Sequence, residues 1–189
     1  ALALAFSFGP HCGLDSTKST WDAYCLIFWL TMSAPLPWPA RSTSFRGDFE
    51  LILEFQAFRA AAPAGDPALV LYAFDSLAQG AQASELRVGL RASPTGLSFF
   101  GQLEDRGIPA GSAAAPTSAV AGSLRLARRS GQLTTGFRPL GQTGWTVLRT
   151  WPDRFTSQHV RCIVEADSGD RGNVTAECSA VRFVGSRVP

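Results

Sequence analysis

Residues 47–58 read GDFELILEFQAF, and the order of residue types in this stretch sets the fold class. Phe49, Leu51, Leu53, Phe55 and Ala57 alternate with Glu50, Ile52, Glu54 and Gln56. Successive side chains of an extended chain point to opposite faces, so a period of two describes a strand with one apolar and one polar face. Phe49, Leu51, Leu53 and Phe55 are expected to hold a core together, each contributing ~1.5–3 kcal/mol when fully buried. The polar face carries Asp48, Glu50 and Glu54 in a row.

The same period recurs near 68–75, 85–92, 95–102, 122–129, 131–138, 144–150, 158–166 and 174–184, with Gly or Pro in nearly every gap. Ser93-Pro94-Thr95-Gly96 and Ser130-Gly131 read as tight reversals, which makes 85–102 and 122–138 hairpins. Two hairpins with flanking strands predict an all-β fold, a sandwich of two packed antiparallel sheets. A length of 189 residues with 46% apolar content suits one core, so 1–189 is expected as a single domain. Residues 1–21 are expected as an N-terminal strand or arm, and the opening ALALAFSFG, without an initiating Met, reads as a mature first strand. Residues 104–121 are expected as a long surface loop, because GIPAGSAAAPTSAVAG at 107–122 has no periodic apolar face.

Charged residues make up 17% of the chain and the net charge is +2, too small to imply a nucleic-acid partner. No run of ~20 apolar residues is long enough to span a bilayer. Sixteen of the seventeen basic residues are Arg and only Lys18 is Lys, and Arg offers a flat, bidentate fork suited to carboxylate, sulfate or phosphate. The four cysteines, Cys12, Cys25, Cys162 and Cys178, include no C-x-x-C pair, so a zinc site is not expected. An exported, extracellular or cell-surface protein with one or two disulfides fits an even set, and all three pairings stay open. Cys162 lies in phase with Val160 and Val164, and Cys178 with Val174, Ala176 and Ala180, so both are expected to point inward. Asn173-Val174-Thr175 is a glycosylation sequon, relevant only in a glycosylating host.

The stretch DAYCLIFWLTM at 22–32 is apolar on both alternating faces. One sandwich core covers one face of a strand, so the other needs a cover of its own. The N-terminal segment, residues 33–44 or a second subunit could supply it, and Phe28 and Trp29 are the candidate interface residues.

The order of these elements resembles domains of the concanavalin A-like lectin/glucanase superfamily over about residues 20–185. The carriers are GDFELILEF, LVLYAF, ELRVGLRA, HVRCIVEAD, ECSAVRFVG and above all GSLRLARRSGQLTTGFRPLGQTGW. The last is similar to uncharacterised domains of planctomycete bacteria, with strand, tight turn, second strand and a Gly-Trp. The resemblance implies a jelly roll, and members that bind or cleave glycans imply a carbohydrate role.

A retaining glycosidase needs two carboxylates ~5 Å apart. The Asp48, Glu50 and Glu54 row has neither the residue order of the Glu-x-Asp-x-x-Glu or Glu-x-Asp-x-x-x-Glu signature of the superfamily's glucanases nor an aromatic-rich frame, so a solvated strand face is the plainer reading. His159 has no Gly-x-Ser-x-Gly elbow to serve. Asp167, Asp170 and Asn173 in DSGDRGN would give only part of a calcium shell, so no cofactor is expected and calcium is the alternative. Arg87 and Arg91, Arg125 and Arg129, and Arg161 lie on the polar faces of three strands, which would form one guanidinium-rich face with Glu85 and Glu165 if those strands shared a sheet. Trp38, among prolines, is the expected exposed aromatic, and Trp145 is placed at the core edge. The reading is a non-catalytic, lectin-like recognition or structural module that binds glycan or assembles with itself. The alternative is a glycoside hydrolase using the carboxylate row.

Overall fold

Strand β3 (Phe45–Ala61), which contains the stretch quoted first, lies near the middle of a sheet in a computed structural model that describes residues 2–7, 13–15, 45–61, 66–75, 83–156, 160–167 and 173–187. The remaining strands are β1 (Leu2–Ser7), β2 (Gly13–Asp15), β4 (Ala68–Asp75), β5 (Glu85–Ser93), β6 (Gly96–Asp105), β7 (Ile108–Thr117), β8 (Gly122–Arg129), β9 (Gln132–Pro139), β10 (Thr146–Pro152), β11 (Val160–Asp167) and β12 (Asn173–Arg187). A seven-stranded sheet runs β1-β12-β3-β8-β9-β10, with β2 also on β12, and a five-stranded sheet runs β11-β4-β5-β6-β7. Every pairing is antiparallel. The expected all-β, two-sheet sandwich is what forms, and both expected hairpins, β5-β6 and β8-β9, are present. Phe28, Trp29, Trp38, Cys12, Cys25, His159 and Asp170 lie outside the described residues.

Phe49, Leu51, Leu53 and Phe55 are all buried, as the alternation requires. The pattern then breaks at Ala57, whose φ is +54°. Between the pairs Gln56–Glu177 and Arg59–Thr175, β3 has two residues where β12 has one, which is a β-bulge. The extra residue flips the phase, so Phe58 takes the inward place expected for Ala57 and is 2% exposed. A second bulge in β12, between Cys178 and Ala180, acts the same way. Val174, Ala176 and Cys178 are buried, but Ala180 is turned out opposite Glu54.

The five-stranded sheet supplies Leu69, Leu71, Leu86, Val88, Leu90, Phe99 and Leu103 to the shared core. Phe99 of β6 stacks on Phe137 of β9 with ring centroids 4.1 Å apart, joining the layers directly. Beside that pair the layers come close enough that a Cβ on Gly101 would sit 2.2 Å from Thr135 Oγ1. Only glycine fits there.

The segment expected as a loop at 104–121 is at the surface, yet residues 108–117 form β7, the edge of the five-stranded sheet. Arg106 (φ +51°) and Gly107 (φ +79°) turn the chain back on β6 in a left-handed pair, as Ser130 and Gly131 do between β8 and β9. Ala113 and Ala115 lean toward the core while Ala114 and Pro116 face water, so an alternation exists. It was invisible because alanine and proline carry little apolar contrast. Pro109 and Pro116, which cannot donate to a ladder, are tolerated because β7 is an edge.

Arg149 of β10 closes this side of the sandwich. Its Nη1 donates to the Ser112 carbonyl of β7 at 2.9 Å, and its guanidinium stacks over Trp151 at 5.5 Å. Gly111 leaves room for it, since a Cβ there would meet the guanidinium at 3.1 Å. Among the described residues no helix is long and apolar enough to cross a membrane.

Thr135 is fully buried and its hydroxyl has no hydrogen-bond partner among the described residues. Replacing it with a methyl of similar shape removes an unpaired polar group, so Thr135→Val is expected to raise stability by about 1 kcal/mol in urea unfolding. Leu53→Ala is expected to lower it by about 2–5 kcal/mol. A lower midpoint for Thr135→Val would show that the hydroxyl is satisfied.

Candidate functional site

The five arginines expected on one face are divided between the two sides of the molecule. Arg125 and Arg129 belong to β8 in the seven-stranded sheet, whereas Arg87 and Arg91 of β5 and Arg161 of β11 belong to the five-stranded sheet. Between β6 and β8 the chain runs along β7 and then crosses to the other layer, so the two hairpins never share a sheet. Strand-level periodicity says which side chains face water but not in which layer.

On the seven-stranded outer face the carboxylate row is tied up. Asp48 Oδ1 accepts the Ser130 backbone N–H at 2.9 Å, Glu50 pairs with Arg125 Nε, and Glu54 Oε1 accepts from Arg182 Nη2 at 2.7 Å. Each of the three carboxylates is thus held by a different donor, in the manner of a surface ion-pair lattice. Trp145 also lies on this face. The pair Thr146–Phe137 places it beside Arg138 at the end of the β9-β10 ladder, and its ring meets Arg138 at 4.8 Å and Arg125 at 5.5 Å. It is therefore not at the core edge, because cation–π contacts with two outward arginines hold it over the sheet. Among the described residues the Trp of the core is Trp151.

The outer face of the five-stranded sheet has a different make-up. Register aligns Tyr72, Arg87, Gln102 and Ser112 across β4, β5, β6 and β7, with Phe74, Glu85 and Glu104 one row along and Gly89 and Phe100 on the other side. Arg87 Nη2 donates to Glu104 Oε2 at 3.2 Å, while its Nε is 3.6 Å from Glu85 Oε1 and has no hydrogen-bond partner among the described residues. Phe100 lies over Gly89, where a Cβ would meet the ring at 2.6 Å, and Arg91 caps the ring at 5.5 Å while Arg91 Nε donates to Ser98 Oγ at 3.2 Å. Val70 and Ala68, on the same face, are buried.

These groups are strongly coupled. Burial, and then the Glu165 carboxylate that accepts its hydroxyl proton in a hydrogen bond, push the Tyr72 pKa well above the usual phenol range. Burial also raises the Glu85 carboxyl, with Glu104 and Glu165 adding to it and Arg87 opposing. Tyr72, Phe100 and Gln102 escaped the sequence reading, which followed charge. The alternation of YAF and FFGQL across paired strands was the signal that could have found them.

Of the suggested calcium ligands, Asp167 ends β11 with an exposed side chain, and Asn173 opens β12. Among the described residues no group of three or more His, Cys, Asp or Glu side chains is arranged to hold a metal ion. Cys178 is buried in the core, and Cys162 lies in β11 opposite Ala73.

No family model matches the chain, and no curated protein sequence matches it. Solved structures do. The exoplasmic/lumenal domain of VIP36, in a form bound to Ca2+ and Man3GlcNAc, superposes with a TM-score of 0.54 and 15% identity over 79% of this chain and 73% of that one. A legume lectin-like domain from Entamoeba histolytica matches with a TM-score of 0.52 and 9% identity over 74% and 73%. The GH43 protein BlXynB from Bacillus licheniformis, as its K247S mutant, matches with a TM-score of 0.57 and 14% identity over 74% of this chain, but the match spans 28% of that protein. At such identities the likeness is one of fold alone: the chain is a two-sheet antiparallel β-sandwich of the kind these lectin-like and GH43 structures contain.

A carboxyl with a raised folded-state pKa holds its proton more tightly folded than unfolded. Its stabilising effect is therefore full below the unfolded value of 4.5 and is lost as pH rises through the folded one. Glu85→Gln is expected to gain stability relative to wild type between about pH 4 and pH 7, read as diverging urea midpoints. A gap that narrows or reverses with pH would mean that attraction to Arg87 outweighs burial.

Proposed function

We propose that this chain is a non-catalytic, exported, lectin-like module that binds glycan on the outer face of its five-stranded sheet. The observation that carries the proposal is the row built around Arg87, where a guanidinium fork, the Gln102 amide, the Tyr72 hydroxyl and two carboxylates stand beside the ring of Phe100. A saccharide offers hydroxyls that donate and accept in alternation and an apolar C–H face. Planar polar groups set next to an aromatic ring match both. Arg87 is held in the row by Glu104 and Glu85, which fixes the plane of its fork.

Two lines of support come from likeness. Lectin-like neighbours of this fold include a domain solved with mannose-containing ligands. The narrower kinship with planctomycete domains rests on GSLRLARRSGQLTTGFRPLGQTGW, which spans β8, β9 and the Gly-Trp before β10. The hydrolase alternative is weaker because Asp48, Glu50 and Glu54 are each engaged by a partner. Self-association through Phe28 and Trp29 is a second reading, supported by the two apolar faces of residues 22–32.

A glycan array followed by calorimetry on the strongest neutral ligand tests the proposal. Gln102→Ala and Arg87→Lys are each expected to weaken binding about tenfold, or ~1.4 kcal/mol, with unchanged circular dichroism. An array without ligands sinks the recognition reading. Turnover of a glycan that disappears in Glu50→Gln or Glu54→Gln establishes the hydrolase instead, and a mass that grows with concentration in light scattering establishes assembly.

A further inference from the structure

We propose a second binding site on the opposite side of the sandwich, where Trp145, Arg138 and Arg125 take an acidic sugar: a uronate whose carboxylate lies on Arg138 and whose C–H face lies on the indole. The proposal rests on the glycan-binding reading of the module but places this ligand on the seven-stranded sheet.

Geometry assembles the site from β8, β9 and the start of β10. Arg125 stands opposite Gly136, which has no side chain, and Gly136 stands opposite Val147. The open position lets Trp145 contact both Arg138 of β9 and Arg125 of β8. The indole is only partly buried, so some of its surface stays available to a ligand.

Charge distinguishes the two guanidiniums. Arg125 is neutralised by Glu50, and the nearby Glu54 is taken by Arg182. Arg138 has no carboxylate within ion-pair distance among the described residues, and its one polar side-chain contact among them is Nη2 donating to Ser123 Oγ at 3.4 Å, near the limit of a hydrogen bond. Stacking on a ring uses the face of a guanidinium and leaves its in-plane N–H donors free for a bidentate acceptor such as carboxylate.

The rim makes a bare inorganic anion a poor match. Leu140 in the preceding loop is 77% exposed and Val147 of β10 is 53% exposed, so apolar surface flanks the cation. A ligand that brings an anionic group together with an apolar ring face satisfies both features. A neutral sugar would leave Arg138 without its partner, and sulfate would leave the indole uncovered.

Calorimetry with tetragalacturonate at about 50 mM salt provides the test, with its neutral methyl ester and inorganic sulfate as comparison ligands. Wild type is expected to bind the oligouronate at least about tenfold more tightly than either comparison ligand, with the margin shrinking at about 500 mM salt. Arg138→Gln and Trp145→Ala are each expected to weaken it about tenfold or more, and Arg138→Lys, which keeps the charge but loses the fork, by a smaller factor. Arg87→Lys is expected to leave it unchanged. The proposal is overturned if the methyl ester or sulfate binds as well as the acid, or if Arg138→Gln binds as wild type does. If oligouronate binding is lost in Arg87→Lys and kept in Arg138→Gln, acidic glycan belongs to the five-stranded face and only this second site is wrong. If neutral glycans bind through Arg87 and no oligouronate binds at all, the second site is likewise rejected while the recognition module stands.

Discussion

The dry contact between the two sheets governs the rest of the molecule. Phe49, Leu51, Leu53 and Phe55 on one layer and Leu69, Leu71, Leu86, Val88, Leu90 and Phe99 on the other have a single shared interior in which to hide. The stack of Phe99 on Phe137, and the closeness that makes Gly101 a glycine, set how tightly the layers press. Once those faces are turned inward, the pleat turns every alternate residue outward. Both outer surfaces, and any function they have, are by-products of that packing.

The bulges show how strictly the core is enforced. At Ala57 and again after Cys178 the chain inserts a residue, and each time the phase resets so that a large or well-fitting side chain meets the interior. A bulge costs ladder hydrogen bonds locally, yet leaving Phe58 in water would forgo ~1.5–3 kcal/mol of burial. Such adjustments explain why the register of β12 on β3 is irregular while that of β5 on β6 is not.

The outer faces differ in what they leave unsettled. Most of their ion pairs are partly exposed and worth little individually, as solvated sheet faces go. The exceptions are the groups that the lattice does not balance. On the five-stranded side, burial draws Tyr72 and Glu85 toward their neutral forms beside Arg87, which opposes the shift while it pairs with Glu85 and Glu104. On the seven-stranded side, Arg138 leans on an indole instead of a carboxylate. Local imbalance of this kind, more than total charge, separates a surface that can recognise something from one that only stays wet.

The strands with strong apolar contrast, β3, β5, β6, β8 and β9, and the turns at Ser93–Gly96 and Ser130–Gly131, were legible from residue order, because burial of alternate side chains is a local property. Strand β7 was not, since alanine, serine and proline hardly differ in the free energy of transfer from water, and only the edge of a neighbouring strand gives that segment its shape. The separation of Arg87 and Arg91 from Arg125 and Arg129 was equally hidden, as was the position of Trp145, because both depend on which layer a strand joins. Residue order alone therefore determined which side chains seek the interior and which seek water. Tertiary structure decided which of the outward ones meet each other, because neighbours across a ladder are brought together by long-range pairing that no short window of sequence contains.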